Sequence, residues 1–158
     1  SELDFSEEFH LLDVGCGTGR VLSFFIQSKF AGHATGIELD PDIAEYACSW
    51  TRRFANVDVL CGSALETSLA PYTHLYLFNP FDTNVLMQFI MKIENEVRRP
   101  ITLVHMSDNG ETYSYIGRTG WSLVRQGEFQ EYRTATGRAI TVYAHPQHFS
   151  IWKYAPES

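Results

Sequence analysis

Cysteine and basic charge are both scarce in this chain, and long apolar runs are missing. The three cysteines, Cys16, Cys48 and Cys61, are widely spaced. They match neither a disulfide framework nor a zinc knuckle, so we expect a reducing cytoplasm. The net charge of −7 gives no electrostatic reason to expect generic binding to nucleic acid. No stretch approaches the roughly 20 apolar residues that cross a bilayer, and the opening residues lack a signal-peptide pattern, so we expect no membrane association.

The length and the balance of residue types fit one globular domain. The 158 residues are 44% hydrophobic and 20% charged, which is an ordinary profile for a protein with a core of its own. The sequence has no internal repeat, low-complexity tract or linker. We therefore expect residues 1–158 to form a single domain.

Apolar runs alternate with segments of helical period through most of the chain. The runs that predict buried strands are FHLLDVG, HATGIEL, VDVLC, THLYLFN and ITLVHM, and the helical segments are RVLSFFIQSKF, PDIAEYACSWTRRF and TNVLMQFIMKIENEV. Asp82 is predicted to cap the third helix. The apolar stripes predicted for the second and third helices are Ile43, Ala47, Trp50 and Phe54, and Leu86, Phe89, Ile90, Ile93 and Val97.

Strands that alternate with helices predict an α/β fold with a doubly wound, mostly parallel sheet. The last two predicted strands, WSLVRQGEFQEYR and RAITVYAHP, are separated only by the turn TATG. Without a helix between them they must be antiparallel neighbours. The prediction is therefore a seven-stranded, Rossmann-like sheet that closes with a C-terminal antiparallel hairpin.

A glycine-rich segment, LLDVGCGTGRV, lies between the first strand and the first helix. Residues without a Cβ suit a tight turn and the close approach of a ligand there. A dinucleotide fingerprint requires a glycine at position 20, which is Arg20, so an NAD(P)-dependent oxidoreductase is the less favoured alternative. No Lys-Ser/Thr pair follows the glycines, which argues against a nucleoside-triphosphate P-loop.

The spacing D-x-G-x-G-x-G, formed by Asp13, Gly15, Gly17 and Gly19, resembles the first motif of class I S-adenosylmethionine-dependent methyltransferases. The resemblance covers about residues 9–145 and implies the Rossmann-like fold of that family. It implies S-adenosylmethionine as the cofactor. It also implies that this loop, which includes Cys16, passes under the methionine part of the cofactor.

Two further segments fit the same family. Glu38 ends the second strand in GIELDP, and the resemblance implies that its carboxylate accepts hydrogen bonds from both ribose hydroxyls, with Leu39 in the same cofactor-binding segment. Ser63 and Ala64 follow the third strand in CGSALE, where family members contact adenine. A surface carboxylate without a ligand is the alternative for Glu38.

The stretch LYLFNPFD ends the fourth strand on Asn79, Pro80 and Phe81. Ligands of open α/β sheets bind at the switch point beside this strand. Amine methyltransferases of the family carry Asp/Asn-Pro-Pro-aromatic here. The resemblance therefore implies that Asn79 and Pro80 hold the acceptor, that Phe81 packs over it, and that Asn79 also contacts the cofactor. A tight turn without a substrate role is the alternative.

These residues predict transfer of a methyl group to an acceptor that the sequence does not identify, such as a nitrogen of a protein, a nucleic acid or a small molecule. A catalytically silent cofactor-binding subunit remains an alternative. The six histidines show no metal-ligand spacing, and only His105 is kept as a minor acid–base candidate. Family members usually carry lid helices before the first motif, so we expect residues preceding Ser1 or a partner subunit to supply them.

Overall fold

The computed structural model describes residues 8–107 and 111–157. The strands are β1 (His10–Val14), β2 (His33–Glu38), β3 (Val57–Cys61), β4 (His74–Phe78), β5 (Ile101–Met106), β6 (Trp121–Phe129), β7 (Glu131–Arg133), β8 (Ala139–Thr141) and β9 (Gln147–Tyr154). The α-helices are α1 (Arg20–Gln27), α2 (Pro41–Thr51) and α3 (Thr83–Glu96), and a 3₁₀-helix covers Glu111–Ser114. Within the described ranges, no helix is long and apolar enough to cross a membrane.

Seven of these strands form one sheet in the order β3-β2-β1-β4-β5-β9-β6. The first five are parallel, and β9 runs antiparallel to both β5 and β6. The strand order reverses between β1 and β4, which creates a switch point at their carboxyl ends. The predicted doubly wound, mostly parallel seven-stranded sheet is confirmed.

The seventh strand is not the predicted segment RAITVYAHP. That segment contributes only β8, which pairs with β7 in a separate two-stranded hairpin. The sheet is completed by β9, which pairs with β5 from Ile101 opposite Tyr154 to Met106 opposite Phe149. Trp152 and Tyr154 of β9 are buried in the core, whereas all three residues of β8 are exposed. The burial of these two large side chains favours β9 as the sheet strand.

One face of the sheet is covered by α3. Its buried residues Leu86, Phe89, Ile90 and Ile93, with Val97 directly after the helix, form the predicted inner face. The Oδ1 atom of Asp82 accepts a hydrogen bond from the Val85 amide at 2.9 Å, so Asp82 caps the helix as predicted.

The opposite face is covered by α1 and α2, and the stripe predicted for α2 is wrong in part. The buried residues are Ala44, Ala47 and Thr51, whereas Ile43 is 37% exposed. Small side chains let the helix lie close to the sheet. The size of the side chain, more than its hydrophobicity, therefore decides which residues of α2 face the sheet.

Candidate functional site

The carboxyl ends of β1, β2, β3 and β4 lie side by side at one edge of the sheet. This register places the segments that begin at Gly15, Glu38, Gly62 and Asn79 next to one another, although they are far apart in sequence. Two cavities open at this edge.

The first cavity has a volume of about 490 Å³. It is lined by Val14, Gly15, Ile37, Glu38, Leu39, Gly62, Ser63, Ala64, Leu65, Phe78, Pro80, Phe81, Asp82 and Val85. The structure therefore brings together Gly15, Glu38, Leu39, Ser63 and Ala64, five of the residues predicted to bind a cofactor.

The second cavity has a volume of about 260 Å³. It is lined by Asp13, Gly15, Cys16, Gly17, Thr18, Arg20, Val21, Tyr76, Phe78 and Tyr143. Gly15 and Phe78 line both cavities. The two cavities are therefore neighbouring compartments of one site, on either side of these two residues.

The glycine loop is held against β2 and against the segment that follows β4. The amides of Gly15 and Cys16 both donate to the Ile37 carbonyl, at 2.9 and 3.0 Å. Gly15 has φ 72° and Gly17 has φ 55°, which favours glycine at both positions. A Cβ at Gly15 would lie 3.1 Å from the Cβ of Pro80, so the loop and the Asn-Pro segment meet in close contact.

Glu38 fastens this loop with its carboxylate. Its Oε2 atom accepts a hydrogen bond from the Gly17 amide at 2.9 Å, and Oε1 accepts one from the Asp40 amide at 3.1 Å. A carboxylate has about four acceptor sites. Glu38 therefore retains capacity for further donors in the first cavity, and it is more than a surface acid at a strand end.

Asp13 is a buried acid of the site with a strongly raised pKa. It is buried, and its Oδ2 atom has no hydrogen-bond partner among the described residues. Burial, with a smaller contribution from the Glu38 carboxylate, raises the pKa of Asp13 to about 7. Arg20 lines the same cavity, and its side chain forms no hydrogen bond or ion pair within residues 8–107 and 111–157. An acid and a base thus line one small cavity, and neither is neutralised by a direct ion pair.

Two predicted loop residues offer no side chain for ligand binding. The Cys16 side chain is buried beneath Gly36, where a Cβ would lie 2.6 Å from its Sγ atom. Burial raises the pKa of Cys16 to about 12, so the thiol stays protonated and only the backbone of this residue is suited to bind a ligand. Gly19 lines neither cavity, and a Cβ there would lie 2.5 Å from the ring of Trp50.

The segment after β4 combines a turn with a side chain that makes no polar contact. Asn79 has φ 44°, a left-handed conformation that asparagine tolerates better than most residues. It is exposed, and its carboxamide forms no hydrogen bond within the part of the chain that the structure describes. Pro80 and Phe81 line the first cavity, and the Phe81 ring also packs 5.4 Å from the ring of Phe89. Asn79 itself lines neither cavity.

Among the lining residues that were not predicted as site residues, three bear directly on the proposed chemistry: Phe78, Tyr143 and Arg20. Phe78 ends an apolar strand yet is 40% exposed, because it projects at the edge beside the loop. Tyr143 follows β8, and only the tertiary fold brings its ring 5.7 Å from that of Phe78. Arg20 could have been predicted from the sequence, since it is a cation directly after the glycine motif.

The acid–base candidate His105 is buried away from both cavities. Its Nδ1 atom lies 2.9 Å from the Tyr115 hydroxyl. In the described ranges no group of three or more His, Cys, Asp or Glu residues could hold a metal ion.

Comparison with known proteins identifies the family of the chain. A family model described as a methyltransferase domain matches residues 11–99, which is more than half of the chain. No curated protein matches the sequence.

Solved structures share the fold at low sequence identity. An RNA methyltransferase from Salinibacter ruber, in complex with S-adenosyl-L-homocysteine, is 18% identical with a TM-score of 0.68, and the match covers 98% of this chain and 86% of that chain. The N-methyltransferase NodS from Bradyrhizobium japonicum, in complex with the same compound, is 14% identical with a TM-score of 0.68, and the match covers 94% of this chain and 79% of that chain.

Proposed function

The chain belongs to the methyltransferase domain family, and on this premise we propose that it binds S-adenosylmethionine across the two cavities and transfers a methyl group to an acceptor beside Asn79. The observation that carries this proposal is the buried, unpaired Oδ2 atom of Asp13 in a cavity that Arg20 also lines. An amino-acid group has a cation and an anion on one carbon. Asp13 would accept from its ammonium and Arg20 would donate to its carboxylate.

The first cavity fits the nucleoside part of the same cofactor. Glu38 has acceptor sites left for the two ribose hydroxyls, and Leu39 lies beside it. Ser63 and Ala64, which follow β3, would contact the adenine. Gly15 lines both cavities, so the part that joins the nucleoside to the amino acid would lie against this residue.

The charges of the loop disfavour a dinucleotide. A pyrophosphate at the glycine loop would lie close to the buried acid Asp13, whose negative charge would repel it. Among the described residues that line the two cavities, Arg20 is the only cation. The glycine spacing and the charge pattern thus support the same choice of cofactor.

When bound, the cofactor supplies a methyl group that is already activated as a sulfonium. The chain has to hold the acceptor in line with that group and exclude water. A nitrogen acceptor needs its lone pair free, and we propose that the Asn79 carboxamide and the Pro80 carbonyl accept its N–H groups. Phe81 supports this segment by packing on Phe89. The negative charge of Asp13 would lie beside the ammonium group of the cofactor, away from the acceptor.

Three free cysteines support a site of action in the reducing cytoplasm, since none of them forms a disulfide in this fold. We propose that location together with the methyl transfer.

Thermal unfolding with added ligands tests the proposal. S-adenosylmethionine and S-adenosylhomocysteine at about 100 times their dissociation constants should each stabilise the native state by about 2.7 kcal/mol, which raises Tm by roughly 5–10 °C. NAD and NADP at the same concentrations serve as controls and should leave Tm unchanged. Stabilisation by the nicotinamide dinucleotides alone would show that the assigned cofactor is wrong.

A further inference from the structure

The segment of residues 130–146, which we call the insertion, stands at the same edge of the sheet as the two cavities. Phe129, the last residue of β6, pairs with Gln147, the first residue of β9. Phe149 of β9 is opposite Met106, the last residue of β5. The insertion therefore leaves the sheet and returns to it at the carboxyl ends of the parallel strands, next to Asn79.

The insertion directs one aromatic ring back onto the site. The amides of Val142 and Tyr143 donate to the Gln130 carbonyl at 2.8 and 3.3 Å, and the Gln130 side chain donates to the Ala144 carbonyl at 3.3 Å. These bonds fix the base of the insertion. The Tyr143 ring lies 5.7 Å from Phe78 at an interplanar angle of 38° and 6.0 Å from Phe129.

The surface beside these rings has unused binding capacity. Phe78 remains 40% exposed despite its contact with Tyr143. The Tyr143 hydroxyl and the Asn79 carboxamide form no hydrogen bonds within the residues that the structure describes. Aromatic faces bind flat rings better than saturated ones of equal size, because ring pairs add an electrostatic contribution to apolar burial. Adjacent polar groups then fix the orientation of the bound ring.

We propose that Tyr143, with Phe78, is an acceptor-binding residue that selects acceptors carrying a flat ring. This inference rests on the proposed methyl transfer, because it assigns the aromatic pair to the acceptor side of that site. Phe78 lines both cavities and Tyr143 lines the second, so a ring held against this pair would lie beside the cofactor at the junction of the two cavities. A polar group on that ring would be placed near Asn79, which directly follows Phe78.

Two neutral carboxamides of similar size test the selection. Benzamide is flat and cyclohexanecarboxamide is puckered, and both carry the same polar group. Their dissociation constants can be measured by ligand-observed saturation-transfer NMR, with and without saturating S-adenosylhomocysteine. The wild-type protein should bind benzamide about three- to tenfold more tightly, which corresponds to one aromatic pair.

Substitutions in the insertion test whether the preference for benzamide depends on Tyr143. Tyr143→Leu should reduce the ratio of the two constants to about one to two, and Tyr143→Phe should preserve it. Tyr132→Leu is the matched control, because Tyr132 belongs to the same hairpin, is 55% exposed and pairs with Ile140 across from it. This control should bind both compounds as the wild type does. Melting curves without ligand confirm that each variant is folded.

The outcomes separate the two proposals. If S-adenosylhomocysteine fails to bind by calorimetry and benzamide is still preferred through Tyr143, the proposed function is wrong, and Tyr143 keeps a ring-binding role without an acceptor role. If S-adenosylhomocysteine binds but the two carboxamides bind equally, or neither binds, the assignment of Tyr143 is wrong. An equal loss of preference in Tyr132→Leu would also overturn it.

Discussion

Replacement of Asp13 by asparagine should remove a pH-dependent destabilisation of the ligand-free protein. Burial and the Glu38 carboxylate raise the pKa of Asp13 from 3.8 to about 7. The folded state therefore keeps a proton that the unfolded chain has already lost above pH 4. The stability that this proton contributes is fully present below pH 3.8 and is lost as the pH rises through 7. The wild-type protein should become less stable between pH 5 and pH 8.

The size of this effect follows from the pKa difference. Each unit of separation corresponds to about 1.4 kcal/mol, so the whole shift is equivalent to about 4 kcal/mol. Between pH 5 and pH 8 the contribution of Asp13 to the free energy of unfolding should fall by about 2–3 kcal/mol. For a chain of this length, that change lowers Tm by roughly 5–10 °C.

The assay is urea unfolding of the wild type and Asp13→Asn at pH 5 and pH 8. The relevant quantity is the difference between the two proteins at each pH, because groups common to both, such as His10 with its pKa lowered chiefly by burial, then cancel. Asp42→Asn is the control, since Asp42 is exposed in the first turn of α2. An equal pH dependence in wild type and Asp13→Asn would refute the raised pKa and the buried, unpaired carboxylate behind it.

The other substitutions probe the cofactor and acceptor sides separately. Glu38→Ala should weaken S-adenosylhomocysteine binding in calorimetry by about 1–3 kcal/mol, through loss of hydrogen bonds to a charged group. The control Glu45→Ala, on the exposed face of α2, should leave the affinity unchanged. Equal affinity of both variants would show that Glu38 only holds the glycine loop in place and does not bind the cofactor. Asn79→Ala should lower stability by about 1–2 kcal/mol because alanine is strained at φ 44°, whereas Asn79→Gly should keep the wild-type Tm. Both variants should bind the cofactor nearly normally. They should transfer the tritiated methyl group of labelled S-adenosylmethionine to an acceptor pool about two orders of magnitude more slowly than the wild type. Full activity in Asn79→Gly would show that Asn79 only shapes the turn.

Local signals were sufficient for the parts of the fold that close within a few residues. The strand-to-helix turn at Gly15 needs only the glycines around it, and the cap at Asp82 is a bond to Val85, three residues along the chain. The inner face of α3 follows from helical period alone. These elements, and the placement of the candidate site segments at the strand ends, could therefore be predicted from the sequence.

The elements that were predicted wrongly from the sequence depend on long-range strand pairing. The segment containing β8 and the segment containing β9 have similar strand propensity, and the choice depends on pairing with β5, more than 40 residues away. The position of Tyr143 has the same origin, because the hairpin and not the local sequence brings its ring to Phe78. On α2 the small residues Ala44 and Ala47 face the sheet because the available space is narrow.

A crystal structure with bound S-adenosylhomocysteine tests the proposed cofactor site most directly. The predicted result is one molecule across both cavities, with its ribose at Glu38, its ammonium at Asp13 and its carboxylate at Arg20. Density for the ligand outside these cavities, or in them with the amino-acid end at Glu38, would contradict the proposal.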